Sequence, residues 1–165
     1  MNTKNTTQQN GYELISRHAF ADVLINSNTQ QKSLHSTVHA PATHSLCRFH
    51  AGIAQSRATY LTIQIGLHTH ITLKPDFLQY TNHSCEPNVF FNTSTMELVT
   101  LKAIAPGDEL TFFYPSTEWE MAQPFVCNCG SENCIQLING ASHLELSTLK
   151  KYKLTDFIEQ LLIQQ

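Results

Sequence analysis

The amino-acid sequence predicts a single, mainly β domain that ends in a helix. Apolar and polar residues alternate over residues 58–65, which is the period of a half-buried strand. Similar short apolar runs recur between turn residues, and the period changes to that of an amphipathic helix only near the C-terminus. With 165 residues, of which 41% are hydrophobic, the chain is long enough to bury a core of its own.

The first half of the chain predicts short strands. Residues 12–50 are weakly patterned, with His, Ser and Thr scattered among apolar residues, and predict short strands and loops. In the segment 58–65, alternation puts three aliphatic side chains on one face: Leu61, Ile63 and Ile65. Residues 70–73 are predicted to be the hairpin partner of this strand, with Gly66 in the turn.

The middle of the chain predicts more strands of the same kind. Residues 89–91 and 98–101 are short apolar runs. Pro106 and Gly107 occupy the two central positions of a predicted turn. The strand "ELTFFY" at residues 109–114 follows, and its alternation places three side chains on one face: Leu110, Phe112 and Tyr114.

The C-terminal segment has a helical period. Its apolar residues recur with the i, i+3, i+4, i+7, i+8 spacing of a single helical stripe: Leu154, Phe157, Ile158, Leu161 and Leu162. We expect this stripe to pack on the domain, and a homodimer contact is the alternative.

Composition and charge exclude several classes of function. The net charge is −3 with ten Lys and Arg, which is a poor match to nucleic acid. No apolar run reaches the ~18 residues of a membrane span, so no membrane partner is expected. Residues 1–10 are polar, lack the apolar core of a signal peptide and predict a disordered tail. We therefore expect a cytoplasmic protein.

The five cysteines predict a metal site. Without a secretion signal, a disulfide framework is unexpected because cytosolic thiols stay reduced. Cys127, Cys129 and Cys134 have the spacing C-x-C-x4-C, which suits a short loop folded around one ion. Structural zinc takes four ligands, so one must come from elsewhere. Cys85 is the candidate and Cys47 its competitor, while the nine His leave a mixed Cys–His site open.

Three motifs in order resemble one known family. The phrases "NHSCEPN", "PGDELTFFY" and "CNCGSENC" together resemble the SET-domain lysine methyltransferases with their post-SET tail, especially small, free-standing microbial members. The resemblance covers roughly residues 58–142. It implies the SET-domain fold, with small curled sheets, a pseudoknot, a zinc-binding post-SET segment and a C-terminal helix. The implied divisions are a SET-like domain at 11–123, a post-SET segment at 124–142 and a helical segment at 143–165.

The resemblance also implies roles for individual residues. The family's cofactor is S-adenosylmethionine (SAM), and the residues implied at its site are Asn82, His83, Ser33, Leu34 and Phe125. Tyr114 would be the catalytic tyrosine. One zinc ion would be bound by Cys85, Cys127, Cys129 and Cys134.

The chemistry of methyl transfer agrees with these roles. Displacement at a sulfonium requires an amine held in line with the breaking bond, so orientation is the main demand. A Tyr hydroxyl is a neutral donor and acceptor that can orient the amine without trapping it as an ion pair. A buried Tyr114 in the core and turn chemistry at Asn82–His83 are the alternatives.

Four positions depart from the family pattern. Gln31 and Ser33 occupy the positions of a glycine pair that allows close backbone approach to the cofactor. Thr43 and Gln136 occupy the positions of two further glycines. We therefore expect either weakened SAM affinity or a pocket reshaped for another ligand, with the first favoured by the retained Asn82, His83 and Tyr114.

Three functions follow. The first is a SAM-dependent methyltransferase acting on a lysine amine of a protein. The second is a SET-fold enzyme acting on a small-molecule substrate in a biosynthetic pathway, with or without methyl transfer. The third is a non-catalytic, zinc-containing interaction module, which the chemistry motifs disfavour.

Overall fold

The computed structural model describes residues 11–164. The predicted disordered tail at residues 1–10 lies outside the described residues. The strands are β1 (Tyr12–Arg17), β2 (Ala21–Asn26), β3 (Lys32–Ser36), β4 (Ser45–Arg48), β5 (His50–Gln55), β6 (Thr62–Gly66), β7 (Thr69–Lys74), β8 (Asn82–His83), β9 (Val89–Asn92), β10 (Glu97–Thr100), β11 (Thr111–Phe112), β12 (Phe125–Val126) and β13 (Leu137–Ile138). The helices are α1 (Leu146–Leu149) and α2 (Asp156–Ile163), with 3-10 turns at Asp76–Tyr80, Tyr114–Ser116 and Ala141–His143.

The strands form small sheets, which confirms the predicted mainly β fold. Three sheets have three strands each, in the orders β1-β2-β3, β4-β10-β9 and β5-β7-β6. Two further sheets have two strands each, an antiparallel β12–β13 pair and a parallel β8–β11 pair. None of the helices in residues 11–164 is both long and apolar enough to cross a membrane.

The hairpin at β6 and β7 has the predicted partner and turn. Ile63 pairs with Ile71, and Gly66 pairs with Thr69 at the turn. The predicted half-buried character of β6 is wrong, because Gln64 is buried beside Ile63. The second face of β6 contacts Glu118, whose carboxylate accepts a hydrogen bond from the Gln64 backbone N–H at 2.9 Å. Glu118 is 54 residues from Gln64 in the sequence, yet it covers the face of β6 that the alternation predicts to be exposed to solvent.

The parallel β8–β11 pair brings two of the motifs together. Thr111 pairs with Asn82, and Phe112 pairs with His83. The predicted strand at residues 109–114 is much shorter in the structure, because Tyr114 already begins a 3-10 turn that contains Pro115. Proline has no N–H to donate and cannot continue a strand ladder. The turn directs the chain away from β8 just beyond His83.

The C-terminal segment packs on the domain through a second hydrophobic core. Ile158 of α2 and Leu149 of α1 are fully buried there with Phe113. The Tyr152 ring stacks on Phe113 with centroids 3.6 Å apart. The helix is shorter than its apolar stripe, since Leu154 precedes the first residue of α2. A homodimer contact through this segment stays a prediction.

Two of the positions predicted to replace family glycines have left-handed backbone. Thr43 has φ 60° and Gln136 has φ 62°. Gly107, in the predicted Pro-Gly turn, has φ +95°. Left-handed conformations are unfavourable for residues with a Cβ, and most of all for a β-branched residue such as Thr. The backbone thus keeps at Thr43 and Gln136 a geometry that glycine adopts more easily.

Candidate functional site

A cavity of about 900 Å³ opens where the short sheets meet. Its walls come from β3, the β5–β6 connection, the parallel β8–β11 pair, Glu118 and the segment from Met121 to Cys129. Four of the five residues predicted at the cofactor site line it, together with the predicted catalytic tyrosine: Ser33, Asn82, His83, Phe125 and Tyr114. The cavity is therefore the candidate active site.

Asn82 joins three of the segments that line this cavity. Its Nδ2 donates hydrogen bonds to the Lys32 backbone carbonyl and to Glu109 Oε1, both at 3.0 Å. The two bonds join β8 to β3 and to the residues before β11. Both amide hydrogens are thereby used, and Oδ1 remains an acceptor to which no group in residues 11–164 donates.

His83 connects the cavity to the cysteines. Its Nδ1 accepts a hydrogen bond from the Tyr114 backbone N–H at 3.1 Å, so the ring hydrogen lies on Nε2, 3.3 Å from Cys85 Sγ. Burial lowers the pKa of His83 to about 4, so the ring is neutral at pH 7. Its centroid lies 5.2 Å from that of Tyr114 and 5.7 Å from that of Phe125. His83 therefore packs edge-on against both aromatic rings.

The Tyr114 phenol is held in its neutral form. Burial, followed by the negative charges of Glu109 and Glu118, raises the pKa of Tyr114 to about 12. The hydroxyl lies 3.5 Å from the Thr81 carbonyl oxygen, and the ring packs on Phe112 at 4.7 Å. The hydroxyl remains both a donor and an acceptor at neutral pH.

Leu34, which is predicted at the cofactor site, does not line the cavity. Leu34 is fully buried in the main core, and its backbone carbonyl accepts a hydrogen bond from Leu110 N–H at 2.7 Å. The strand alternates, so a residue next to the cavity-lining Ser33 must face the core. Ser33 itself is hydrogen-bonded through Oγ to His35 Nε2 at 2.9 Å.

Sequence reasoning missed the charged groups of the cavity. Glu118, Glu109 and Lys32 line it, and Glu118 is 6% exposed. A charged residue is rarely so buried unless it is paired or functional. The only sequence signal for Glu118 is its position four residues after Tyr114, and that spacing does not predict burial.

Four cysteine sulfurs converge beside the cavity. Cys85, Cys127, Cys129 and Cys134 have Sγ atoms that all lie within 4.8 Å of one another. All five cysteines are free thiols, and Cys47 is not part of this group. Burial raises the pKa of Cys47 to about 11, which keeps that thiol protonated. The four-cysteine cluster could hold a metal ion.

The cluster joins the β8 segment to the tail of the chain. The Ile135 backbone N–H donates to Cys85 Sγ at 3.5 Å, and the Tyr152 hydroxyl donates to the Cys85 carbonyl at 2.9 Å. Ile138 is fully buried against Cys85 and Cys127. The wall of the cavity from Phe125 to Cys129 is thereby attached to the strand that carries Asn82 and His83.

Comparison with known proteins agrees with this architecture. Residues 5–115 match the family model described as SET domain. The chain belongs to the SET-domain family. Its similar proteins are methyltransferases, which places it among the SET-domain methyltransferases.

Three relatives indicate the range of the similarity. The chain is 43% identical over 132 residues to Methyltransferase flvH of Aspergillus flavus, covering 79% of this chain and 74% of that protein. It is 27% identical over 103 residues to the H3 lysine-36 specific histone-lysine N-methyltransferase of Saccharomyces cerevisiae, covering 59% and 14%. It is 31% identical over 74 residues to human Histone-lysine N-methyltransferase 2B, covering 41% and 3%. The chain thus corresponds to most of the first relative and to a small part of the other two.

Proposed function

We propose that this protein is a SAM-dependent methyltransferase that methylates an amine nitrogen, with a lysine side chain of a protein as the first substrate class. The observation that carries the proposal is the cavity in which Asn82, His83 and Tyr114 meet two carboxylates. The histone methyltransferase relatives support lysine, since their names state that substrate.

The residues of the cavity fit SAM. Glu109 and Glu118 are its two carboxylates in the described part of the chain, and negative charge attracts a sulfonium cation. Asn82 Oδ1 is an available acceptor for an amine or hydroxyl group. Tyr114 and Phe125 offer aromatic faces to a flat base.

The replaced glycine pair does not prevent this fit. Neither Gln31 nor Ser33 has left-handed backbone, so glycine's conformational freedom is not required there. The Ser33 hydroxyl is occupied by His35, and Gln31 is exposed. The side chains of Gln31 and Ser33 take up space that a glycine pair would leave to the cofactor. We therefore expect weakened rather than abolished SAM binding.

SAM, when bound, supplies an electrophilic methyl group on sulfur. The chain supplies orientation and shielding from water. We propose that the Tyr114 hydroxyl orients the substrate nitrogen through a hydrogen bond. His83 holds Tyr114 through the backbone N–H bond described above.

We also propose that Cys85, Cys127, Cys129 and Cys134 bind one zinc ion. Four cysteine thiolates are a ligand set of closed, structural zinc sites, and the four Sγ atoms lie within 4.8 Å of one another. The cation would offset the repulsion between thiolates that lie this close together. Its role would be to hold the cavity wall from Phe125 to Cys129 against β8.

A small-molecule amine is the second candidate substrate. The cavity volume of about 900 Å³ lies near the upper end of the range for small-molecule sites. It therefore has room for a cofactor together with a small substrate. The relative with 43% identity is named only as a methyltransferase, and this chain spans most of its length.

The test is a labelling experiment preceded by calorimetric titration with SAM. SAM carrying a tritiated methyl group would be incubated with the protein plus a cell extract separated into protein and small-molecule fractions. Label in the protein fraction supports lysine methylation, and label in the small-molecule fraction supports the second candidate. No binding at millimolar SAM would contradict both and favour a SAM-independent enzyme or a non-catalytic module.

A further inference from the structure

Glu118 is a buried acid, and in the described residues only one of its two carboxylate oxygens accepts hydrogen bonds. Oε1 accepts hydrogen bonds from the Gln64 backbone N–H at 2.9 Å and from Thr117 Oγ1 at 3.1 Å. Oε2 lies 4.0 Å from His70 Nδ1, which is too long for a hydrogen bond. No group in residues 11–164 donates to Oε2.

Glu118 forms part of the cavity wall. The Glu118 side chain is 7% exposed, and the neighbouring His70 Nδ1 is fully buried without a hydrogen-bond partner in the described residues. Glu118 lines the same cavity as Tyr114, and its charge acts on the Tyr114 phenol. A carboxylate that has one oxygen without a hydrogen bond therefore belongs to the wall of the cavity that Tyr114 also lines.

The groups around Glu118 give it no permanent cation. His70 faces it from β7, and burial lowers the pKa of His70. Gln64 on β6 and Thr117 are neutral, and Tyr114 is a neutral phenol. Glu109 adds negative charge near Tyr114, and Lys32 lines the cavity beside Tyr80 without an ion pair to Glu118.

Burial dominates the ionisation of this acid. It raises the pKa of Glu118 to about 7, in spite of the hydrogen bonds from Gln64 and Thr117. At neutral pH the group is poised between its two forms, which is the property of an effective proton acceptor.

We propose that Glu118 is the residue that receives the substrate's ammonium group and accepts its proton. This inference rests on the proposed amine methylation. The N–H bond breaks, its electron pair stays on nitrogen, and the proton forms an O–H bond on Oε2. The neutral amine then attacks the methyl group of the sulfonium donor, and the Glu118 proton later leaves to water through the open cavity. The substrate class is accordingly a primary amine that arrives as a cation.

The proposal predicts a specific pH profile. The productive form combines ionised Glu118 with a protonated amine, so kcat/KM should be level between pH about 7 and the amine pKa of about 10. Without Glu118 only the free amine reacts, and kcat/KM should rise about tenfold for each pH unit over this range.

The test variant is Glu118→Gln. Gln keeps an Oε1 acceptor for Gln64 N–H and Thr117, so the fold should persist. We expect kcat/KM at pH 7.5 to fall about 100-fold or more, with the level region replaced by a continuous rise.

The matched control is Glu120→Gln, because Glu120 lies outside the cavity and binds Ser142 and His143. The control should keep the wild-type profile.

A second measurement does not depend on turnover. In protein labelled with [5-¹³C]glutamate, the signal lost in Glu118→Gln belongs to Glu118. We expect it to titrate near pH 7 and to shift when a lysine-like amine is added without SAM. A signal that titrates like an ordinary glutamate and ignores the amine would overturn the proposal, as would an unchanged pH profile in the variant. If the amine shifts the signal but no methyl transfer occurs, the proposed methyltransferase function fails while amine binding at Glu118 stands.

Discussion

Gly140 is predicted to be the most sensitive glycine of the described chain. It has φ +117°, and a Cβ at this position would overlap the Trp119 carbonyl oxygen. The same Cβ would lie 2.8 Å from the Trp119 carbonyl carbon and 2.9 Å from Glu120 Cα. All of these atoms belong to the backbone, so a side-chain rotation cannot relieve the overlap.

The surrounding hydrogen bonds oppose any backbone shift. Ala141 N–H donates to the Glu118 carbonyl at 2.9 Å, and Met121 N–H donates to the Asn139 carbonyl at 2.8 Å. Left-handed backbone costs a residue with a Cβ about 1–2 kcal/mol, and overpacking typically adds about 1–3 kcal/mol. We therefore expect Gly140→Ala to lower the free energy of unfolding by about 2–5 kcal/mol.

Gly107→Ala is the matched control. Gly107 has φ +95°, but a Cβ there would meet no atom within 4 Å. This variant should lose only the conformational part, about 1–2 kcal/mol. Equilibrium urea unfolding of both variants at one fixed zinc concentration measures the difference, since bound metal stabilises the folded state. Equal losses in the two variants would refute the steric argument at Gly140.

The remaining predictions concern metal, catalysis, backbone strain and pH. Cys85→Ser should lower the zinc content below about one ion per chain by elemental analysis, whereas Cys47→Ser should leave it unchanged; the reverse dependence would contradict the four-cysteine site. Tyr114→Phe should abolish methyl transfer while SAM binding by calorimetry persists, and full activity would disprove the orienting role. Thr43→Gly should raise the unfolding free energy by about 1 kcal/mol in urea, because it relieves left-handed backbone; a loss would show that the Thr side chain stabilises the turn. The folded-state pKa of Glu118, about 7, is raised from 4.5, so its contribution to stability is fully present below pH 4.5 and is lost as pH rises through 7. Glu118→Gln should therefore be more stable than the wild type by up to about 3 kcal/mol at pH 8 and equal to it at pH 4.5, and a gap independent of pH would contradict the raised pKa.

Several features of the fold could be predicted because their signals are local. The β6–β7 hairpin follows from two apolar runs and Gly66, and the turn at Gly107 follows from a Pro-Gly pair. Thr43 and Gln136 stand where the family pattern has glycines, and the backbone is left-handed at both positions. In each case the chemistry of one or two residues restricts their own backbone.

Other predictions failed because neighbours in space overrode the local pattern. The strand predicted at 109–114 is shorter in the structure, because only Thr111 and Phe112 pair with β8 before the chain turns at Tyr114. The resemblance predicts Leu34 at the cofactor site, but the alternation of β3 turns its side chain into the core. No local pattern in the sequence indicates that Glu118 is buried.

The family, the mainly β class and the four cysteines of the candidate metal site can all be predicted without knowledge of the fold. Those conclusions depend on residue types in a fixed order, which the chain carries whatever its shape. The burial of Glu118, in contrast, depends on the folded chain, because Gln64, Thr117 and His70 must surround it before its carboxylate loses water. Burial and charge are properties of a three-dimensional neighbourhood, so the ionisation of this acid could not be predicted from its place in the chain.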